Sequence, residues 1–164
     1  MLFRSAFAQA GFAALIEPDI AAAKRRKLIA NLRNVVDVFA ATDEEREYAE
    51  RALADEARRV FNAVGLEVAA PPWDAPRLEV AEVPGHESGH LSTWQSFARG
   101  TSSEVDYLSG EIAFLARLHD LAAPLNAAVA RELGLLAARH GAPGALPLPP
   151  EFASGSLRVE RARA

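Results

Sequence analysis

The stretch Lys27-Leu28-Ile29-Ala30-Asn31-Leu32-Arg33-Asn34-Val35-Val36-Asp37-Val38-Phe39-Ala40-Ala41-Thr42-Asp43-Glu44-Glu45 decides the fold. Leu28, Leu32, Val35, Val36 and Phe39 recur at three- and four-residue spacing, which lines one face of a helix. Upstream, Asp19 can accept from the free N–H groups of a first turn, so the predicted helix runs from Asp19 to about Ala41. Thr42-Asp43-Glu44-Glu45 then reads as a capping box, in which threonine and glutamate satisfy each other's backbone N–H groups. A second helix is expected from about Asp43 to Val64, burying Leu53, Ala57, Val60, Phe61 and Val64. Gly65 follows as its C-terminal cap. Almost nothing separates the two helices, so they should pack as an antiparallel hairpin.

Outward from the hairpin, Leu66 to His90 is punctuated by Pro71, Pro72, Pro76, Pro84, Gly85 and Gly89. That predicts a long irregular connection, a kind that is usually functional or wraps a surface. Only Leu78 to Val80 alternates weakly, in the manner of a strand. Helical signal returns from Ser92 to about Ala98, with a turn at Gly100 to Ser102. A further helix is expected from Ser103 to His119, with Leu108, Ile112 and Leu115 inward. Pro124 suits the first position of another helix, ending at Gly141. The expectation is an all-α, multi-helix domain over residues 1–141. Residues 142–164, with Pro143, Pro147, Pro149 and Pro150, read as an extended tail, at most weakly helical near its end.

The chain has 164 residues, half of them hydrophobic and 24% charged, which is one ordinary globular domain. Cysteine is absent, which excludes disulfides, thiolate nucleophiles and cysteine metal clusters. A formal net charge of −4 lacks the basic footprint of a nucleic-acid binder. No apolar run is long enough to span a membrane. Met1 to Ile16, with Arg4 and Ala8-Gln9-Ala10, loosely follows a secretory pattern, but Gln9 and Gly11 interrupt it. An amphipathic helix in a soluble cytoplasmic protein is the expectation.

Three groups of residues carry candidate chemistry. Lys27, Asn31 and Asn34 share one helix face at the edge of the apolar stripe. A lysine supplies a cation suited to general acid work, and its pKa falls readily on partial burial. Asparagine offers a donor and an acceptor to a carbonyl or hydroxyl. Spacing alone equally describes an ordinary solvated face. In the second group, Ser92 is placed to cap its helix or to help hold an anion, and Glu104 and Asp106 fall in the first turn of the next. In the third, His86-Glu87-Ser88-Gly89-His90 matches a zinc-hydrolase pattern. That chemistry needs a continuous helix, whereas Pro84, Gly85 and Gly89 predict a loop. His119 and His140 read as surface or helix-end residues.

Together these segments resemble the C-terminal domain of the ketopantoate reductase (2-dehydropantoate 2-reductase) family. The Lys-Leu-x-x-Asn core of that family is matched by Lys27-Leu28-Ile29-Ala30-Asn31. Its second asparagine is matched by Asn34, although some members place it where this chain has Val35. The serine-led segment, Glu-x-Asp and glycine that follow are matched by Ser92, Glu104-Val105-Asp106 and Gly110. The Pro-x-Asn is matched by Pro124-Leu125-Asn126. Thr93-Trp94-Gln95-Ser96 departs from the commoner Ser-Met-x-x-Asp run, which leaves the substrate open. The resemblance covers roughly residues 5–140.

The resemblance implies a helical domain like the 6-phosphogluconate dehydrogenase C-terminal fold. It implies reduction of a small-molecule 2-keto acid, ketopantoate to pantoate in pantothenate biosynthesis, with NADPH as the cofactor. Lys27 would be the general acid, and Glu104 would position it or the substrate. Asn31, Asn34 and Ser92 would bind substrate. The family's dinucleotide-binding domain, with its Gly-x-Gly-x-x-Gly turn, has no counterpart here, since none of the ten glycines forms a Gly-x-Gly. A separate nucleotide-binding domain is therefore an expected partner, and the activity of this chain alone is open. The alternatives are a non-enzymatic helical module that self-associates, for example as a homodimer, and a zinc hydrolase built on His86 and His90.

Overall fold

The structure is a computed structural model that describes residues 2–12, 16–70 and 89–153. The connection at 71–88, including the Leu78 to Val80 stretch, His86 and Glu87, lies outside the described residues, as does the chain end at 154–164. The described elements are α1 (Leu2–Gln9), α2 (Ile20–Asn31), α3 (Arg33–Val36), α4 (Asp43–Ala63), α5 (Ser92–Ala98), α6 (Ser109–Leu118) and α7 (Pro124–Ala138). Two short 3-10 turns join them, η1 (Val105–Tyr107) and η2 (Pro150–Phe152). Among the described residues there is no strand, only an isolated bridge between Ala40 and Pro147. None of the described helices is long and apolar enough to cross a membrane.

The helix predicted from Asp19 to Ala41 is shorter and divided. Asp19 caps α2, accepting from the N–H of Ala22 at 2.9 Å. At Leu32 the bonding tightens: its N–H donates to Ile29 O, and the N–H of Val35 donates back to Leu32 O. These are i−3 bonds, the tighter winding typical of helix ends. Leu32 keeps right-handed helical angles, so α3 continues almost in line. Helix ends at Val36, yet Val38 and Phe39 remain buried because the turn after α3 folds them under the body.

Thr42 and Glu45 form the predicted capping box. At the far end of α4, Gly65 has φ +71°, Leu66 N–H bonds Phe61 O and Gly65 N–H bonds Asn62 O. This is a Schellman stop, which needs a left-handed residue after the cap. The same pair of bonds ends α5 at Gly100, α6 at Asp120 and α7 at His140. The N–H of Ala69 then reaches Ala22 O, which brings the exit of α4 back beside the start of α2, as an antiparallel hairpin requires.

One core runs through the elements from α2 to η2, with Leu32, Val35, Leu53, Ile112, Val129 and Leu133 fully enclosed. The helix expected from Ser103 to His119 is instead η1 followed by α6, and the Gly141 endpoint moves back to Ala138. Residues 142–153, the first part of the extended Pro-rich tail, pack against the body. Gly144 N–H bonds Val38 O at 2.8 Å, Ala40 N–H bonds Leu146 O at 2.7 Å, and Phe152 is buried. Apart from η2 the proline-rich backbone there is irregular, and it packs all the same.

A buried carboxylate ties the two long helices together. Glu56 on α4 is 0% exposed and faces the first turn of α7. Its oxygens accept from the N–H groups of Leu125 (3.1 Å) and Asn126 (2.7 Å), and from Asn126 Nδ2 (2.9 Å). A helix start presents unpaired donors and a positive dipole end, and Glu56 supplies both an acceptor and a negative charge. Pro124 at the first position has no N–H to satisfy. Asn126 also donates to Leu53 O at 3.4 Å.

Candidate functional site

Asn34 sits on α3 and Ser92 is the first residue of α5. Asn34 Nδ2 donates to Ser92 Oγ at 3.2 Å, joining positions 58 residues apart. Ser92 therefore does not cap its own helix: Leu91 holds the cap position, and no side chain bonds there. Beside this pair lies a half-open cavity of about 300 Å³, lined by Ser92, Thr93, Ser96, Ser102 and Glu104. Its wall consists of hydroxyls and one carboxylate. Thr93 is 2% exposed, and its hydroxyl has no partner. Glu104 is exposed at the cap of η1, where its side chain makes no capping bond.

Of the five candidate residues, Asn34 and Ser92 touch, and Ser92 and Glu104 share the cavity. Asn31 is half-buried at the end of α2 and Lys27 is exposed one turn earlier; neither lines the cavity. Partial burial of the lysine, the condition that would tune it as an acid, is not met in this chain by itself. Helical geometry nevertheless keeps Lys27, Asn31 and Asn34 within an arc of about 60°, with Lys27 about 10 Å along the axis from Asn34. The three positions thus lie along one face of the α2–α3 rod.

His90, the second histidine of the zinc pattern, lies in irregular chain ahead of α5 instead of within a helix. Its Nδ1 faces Asp37 Oδ1 at 3.1 Å, and its ring stacks on Trp94 at 3.8 Å. Among the described residues no three histidine, aspartate or glutamate side chains gather to hold a metal. His119 caps α6, and His140 takes the left-handed position after α7. A cavity of about 370 Å³ lies elsewhere, between α2, α4 and the chain leaving α4. Its Arg26 and Arg58 are already engaged, by Ala70 O and by Asp55. The polar cavity at Ser92 joins hydroxyls and a carboxylate capable of binding a small oxygenated molecule.

Asp37 and Glu56 were not singled out in the sequence. Glu56 had a visible signal, since a charge three residues after Leu53 and four before Val60 interrupts a buried stripe. Asp37 had none.

The fold and the polar cavity define an all-α domain with hydroxyls and a carboxylate gathered at the ends of short helices. A family model described as ketopantoate reductase PanE/ApbA C terminal matches residues 19–137. The chain belongs to this family, and the match spans α2 through most of α7. Searches of curated proteins and of solved structures found no match.

Proposed function

We propose that the chain is the substrate-binding and catalytic half of an NADPH-dependent 2-keto acid reductase, acting on ketopantoate or a close analogue. The observation that carries this is the Asn34–Ser92 contact beside the Glu104 cavity, within a domain of the ketopantoate reductase family. Ser92 supplies a hydroxyl for the substrate carboxylate, and Asn31 and Asn34 orient its carbonyl and hydroxyl groups. Lys27 donates the proton to the ketone oxygen as negative charge develops there. Glu104 positions the substrate or the lysine.

The described residues do not fit a dinucleotide: they form no sheet and no glycine turn between a strand and a helix. NADPH, the hydride source, would be held by a nucleotide-binding domain outside these 164 residues. Docking of that domain over the α2–α3 face would bury Lys27 and complete the cleft.

The test is turnover of ketopantoate by the chain supplied with such a domain. Lys27→Ala should lower kcat by about 100-fold or more, the scale of general acid catalysis. Unchanged kcat removes Lys27 from the mechanism. A second reading, an association module, is favoured by exposed Phe3, Phe7, Phe12, Ile16 and Ile20 near the start of the chain. Stable self-association together with no response to any 2-keto acid would select it.

A further inference from the structure

The Asn34–Ser92 hydrogen bond is a single contact between two neutral groups at the surface. Such a bond is too weak to hold two distant segments in register. A second link runs beside it. Asp37, three residues after Asn34, accepts from the N–H of Leu91, the residue before Ser92, at 2.8 Å. The Asp37 side chain is only 16% exposed. Its other oxygen accepts from Arg46 Nη1 at 3.1 Å and faces His90 Nδ1 at the same distance.

Both ends of this link are themselves fixed. Arg46 also donates to the backbone oxygens of Asp37, Phe39 and Ala41, which holds the turn after α3 against α4. His90 is stacked on Trp94, and its carbonyl accepts from Gln95 Nε2 at 2.7 Å. The carboxylate therefore binds the lead-in of α5 on one side and an immobilised arginine on the other. Charge-assisted bonds of this kind are stronger than neutral ones, and partial burial shields them from solvent.

We infer that Asp37 is a positioning residue: it holds the start of α5 at the register that sets Ser92 Oγ against Asn34 and fixes the mouth of the Glu104 cavity. This deepens the reductase reading and rests on it for the meaning of the cavity, while the geometric claim is tested separately. Asp37 touches no substrate in this scheme and acts only through Leu91 and Ser92.

The experiment uses the full 15N-labelled chain, following the Asn34 side-chain amide pair, the Ser92 amide and hydrogen exchange at the Leu91 amide. Asp37→Ala should speed Leu91 exchange by at least about tenfold and move the Asn34 pair to its freely solvated position. Asp37→Asn keeps an acceptor oxygen for Leu91 and should restore the Asn34 signal while leaving Leu91 exchange intermediate. Arg46→Gln removes the ion pair but not the Leu91 bond. It should lower Tm and leave Asn34 and Ser92 in place, which a merely structural role for Asp37 would not separate.

Unchanged Asn34 and Ser92 signals in Asp37→Ala overturn the inference, as does an equal displacement by Arg46→Gln. If Asp37→Ala does not fold, Asp37→Asn and Arg46→Gln decide. Faster Leu91 exchange in the former alone supports the inference, and equal exchange in both refutes it. A final titration with ketopantoate, with the nucleotide-binding domain supplied, separates the two proposals. If Asp37→Ala releases Asn34 but the acid perturbs no signal in the wild type so completed, the reductase reading fails and the positioning role stands.

Discussion

Replacing Glu56 tests the account of what holds the two long helices together. Glu56→Ala removes an acceptor from three donors, and two of these are backbone N–H groups in the first turn of α7. Both backbone donors lie against a side chain with no solvent exposure, so water does not replace it without opening the interface. Each buried donor left unpaired costs about 1–3 kcal/mol. The truncation also leaves a void between α4 and α7, and the start of α7 loses a compensating negative charge. The expected total is about 3–5 kcal/mol, the range seen when a buried charged group is removed from its partners. Against a typical stability of about 5–15 kcal/mol, this is a large fraction.

Glu56→Gln keeps the shape and one acceptor but turns an NH2 toward a donor. It should cost less, about 1–3 kcal/mol. The assay is urea denaturation at neutral pH, with the slope checked for constancy so that the midpoint reports stability. A Glu56→Ala loss below about 1 kcal/mol would refute the reasoning, since even one orphaned donor should exceed it. So would a larger loss in Glu56→Gln than in Glu56→Ala.

The remaining predictions concern helix ends. A Cβ at Gly141 would clash with Leu136 Cδ1 and lie 3.0 Å from its Cγ, in a side chain that is almost fully buried. Gly141→Ala should therefore cost about 1–3 kcal/mol by overpacking, read from the thermal midpoint. His140 holds φ +53° where glycine is free of strain, so His140→Gly should stabilise the chain by up to about 1 kcal/mol; destabilisation would contradict the Schellman assignment. Thr42→Ala should cost about 1 kcal/mol through loss of the α4 cap. The Thr42 N–H and hydroxyl hold the Glu45 carboxyl below its ordinary value of 4.5, so its contribution is present above that pH and fades as the pH falls through the lowered folded value. Wild type should be more stable than Glu45→Gln at neutral pH, with the gap closing in acid. A gap independent of pH refutes this.

The hairpin was legible because apolar periodicity and a capping box are local, and local rules decide helices of this length. The same periodicity concealed the break at Leu32. A change from i−4 to i−3 bonding leaves the buried residues on the same face, so the stripe from Leu28 to Phe39 reads as unbroken. Phe39 continues the stripe by spacing, yet it is buried by a turn and not by a helix. The prolines from Pro143 to Pro150 announce irregular backbone but say nothing of where it packs. Hydrogen bonds from Gly144 to Val38 and from Ala40 to Leu146 join this segment to the turn after α3.

The candidate site divides along the same line. Residues on one helix, such as Lys27, Asn31 and Asn34, can be placed on one face by counting. The approach of Ser92 to Asn34 depends on the Asp37 link, which joins segments 54 residues apart and has no spacing rule. The Pro-x-Asn match at Pro124 was legible as a pattern, but its physical reason was not. That reason is Glu56, which lies 70 residues from Asn126.

These two carboxylates divide the labour of the fold. Glu56 acts where α4 and α7, the two longest helices, cross inside the core, and it is sealed from water. Asp37 acts at the edge, where α3 and α5 are short and their ends are irregular, and it remains partly wet. Asn34, Ser92 and Glu104 all sit on or beside such short elements, so their mutual geometry depends on few bonds. A site built this way can adjust locally, because shifting α5 does not require opening the α4–α7 core. The consequence is separable perturbation: Glu56 variants should move the global unfolding midpoint, and Asp37→Asn should move local exchange at Leu91 far more than that midpoint. Equal effects of both on both measurements would mean that the edge and the core unfold as one unit, and that the cavity has no independent freedom to close on a ligand.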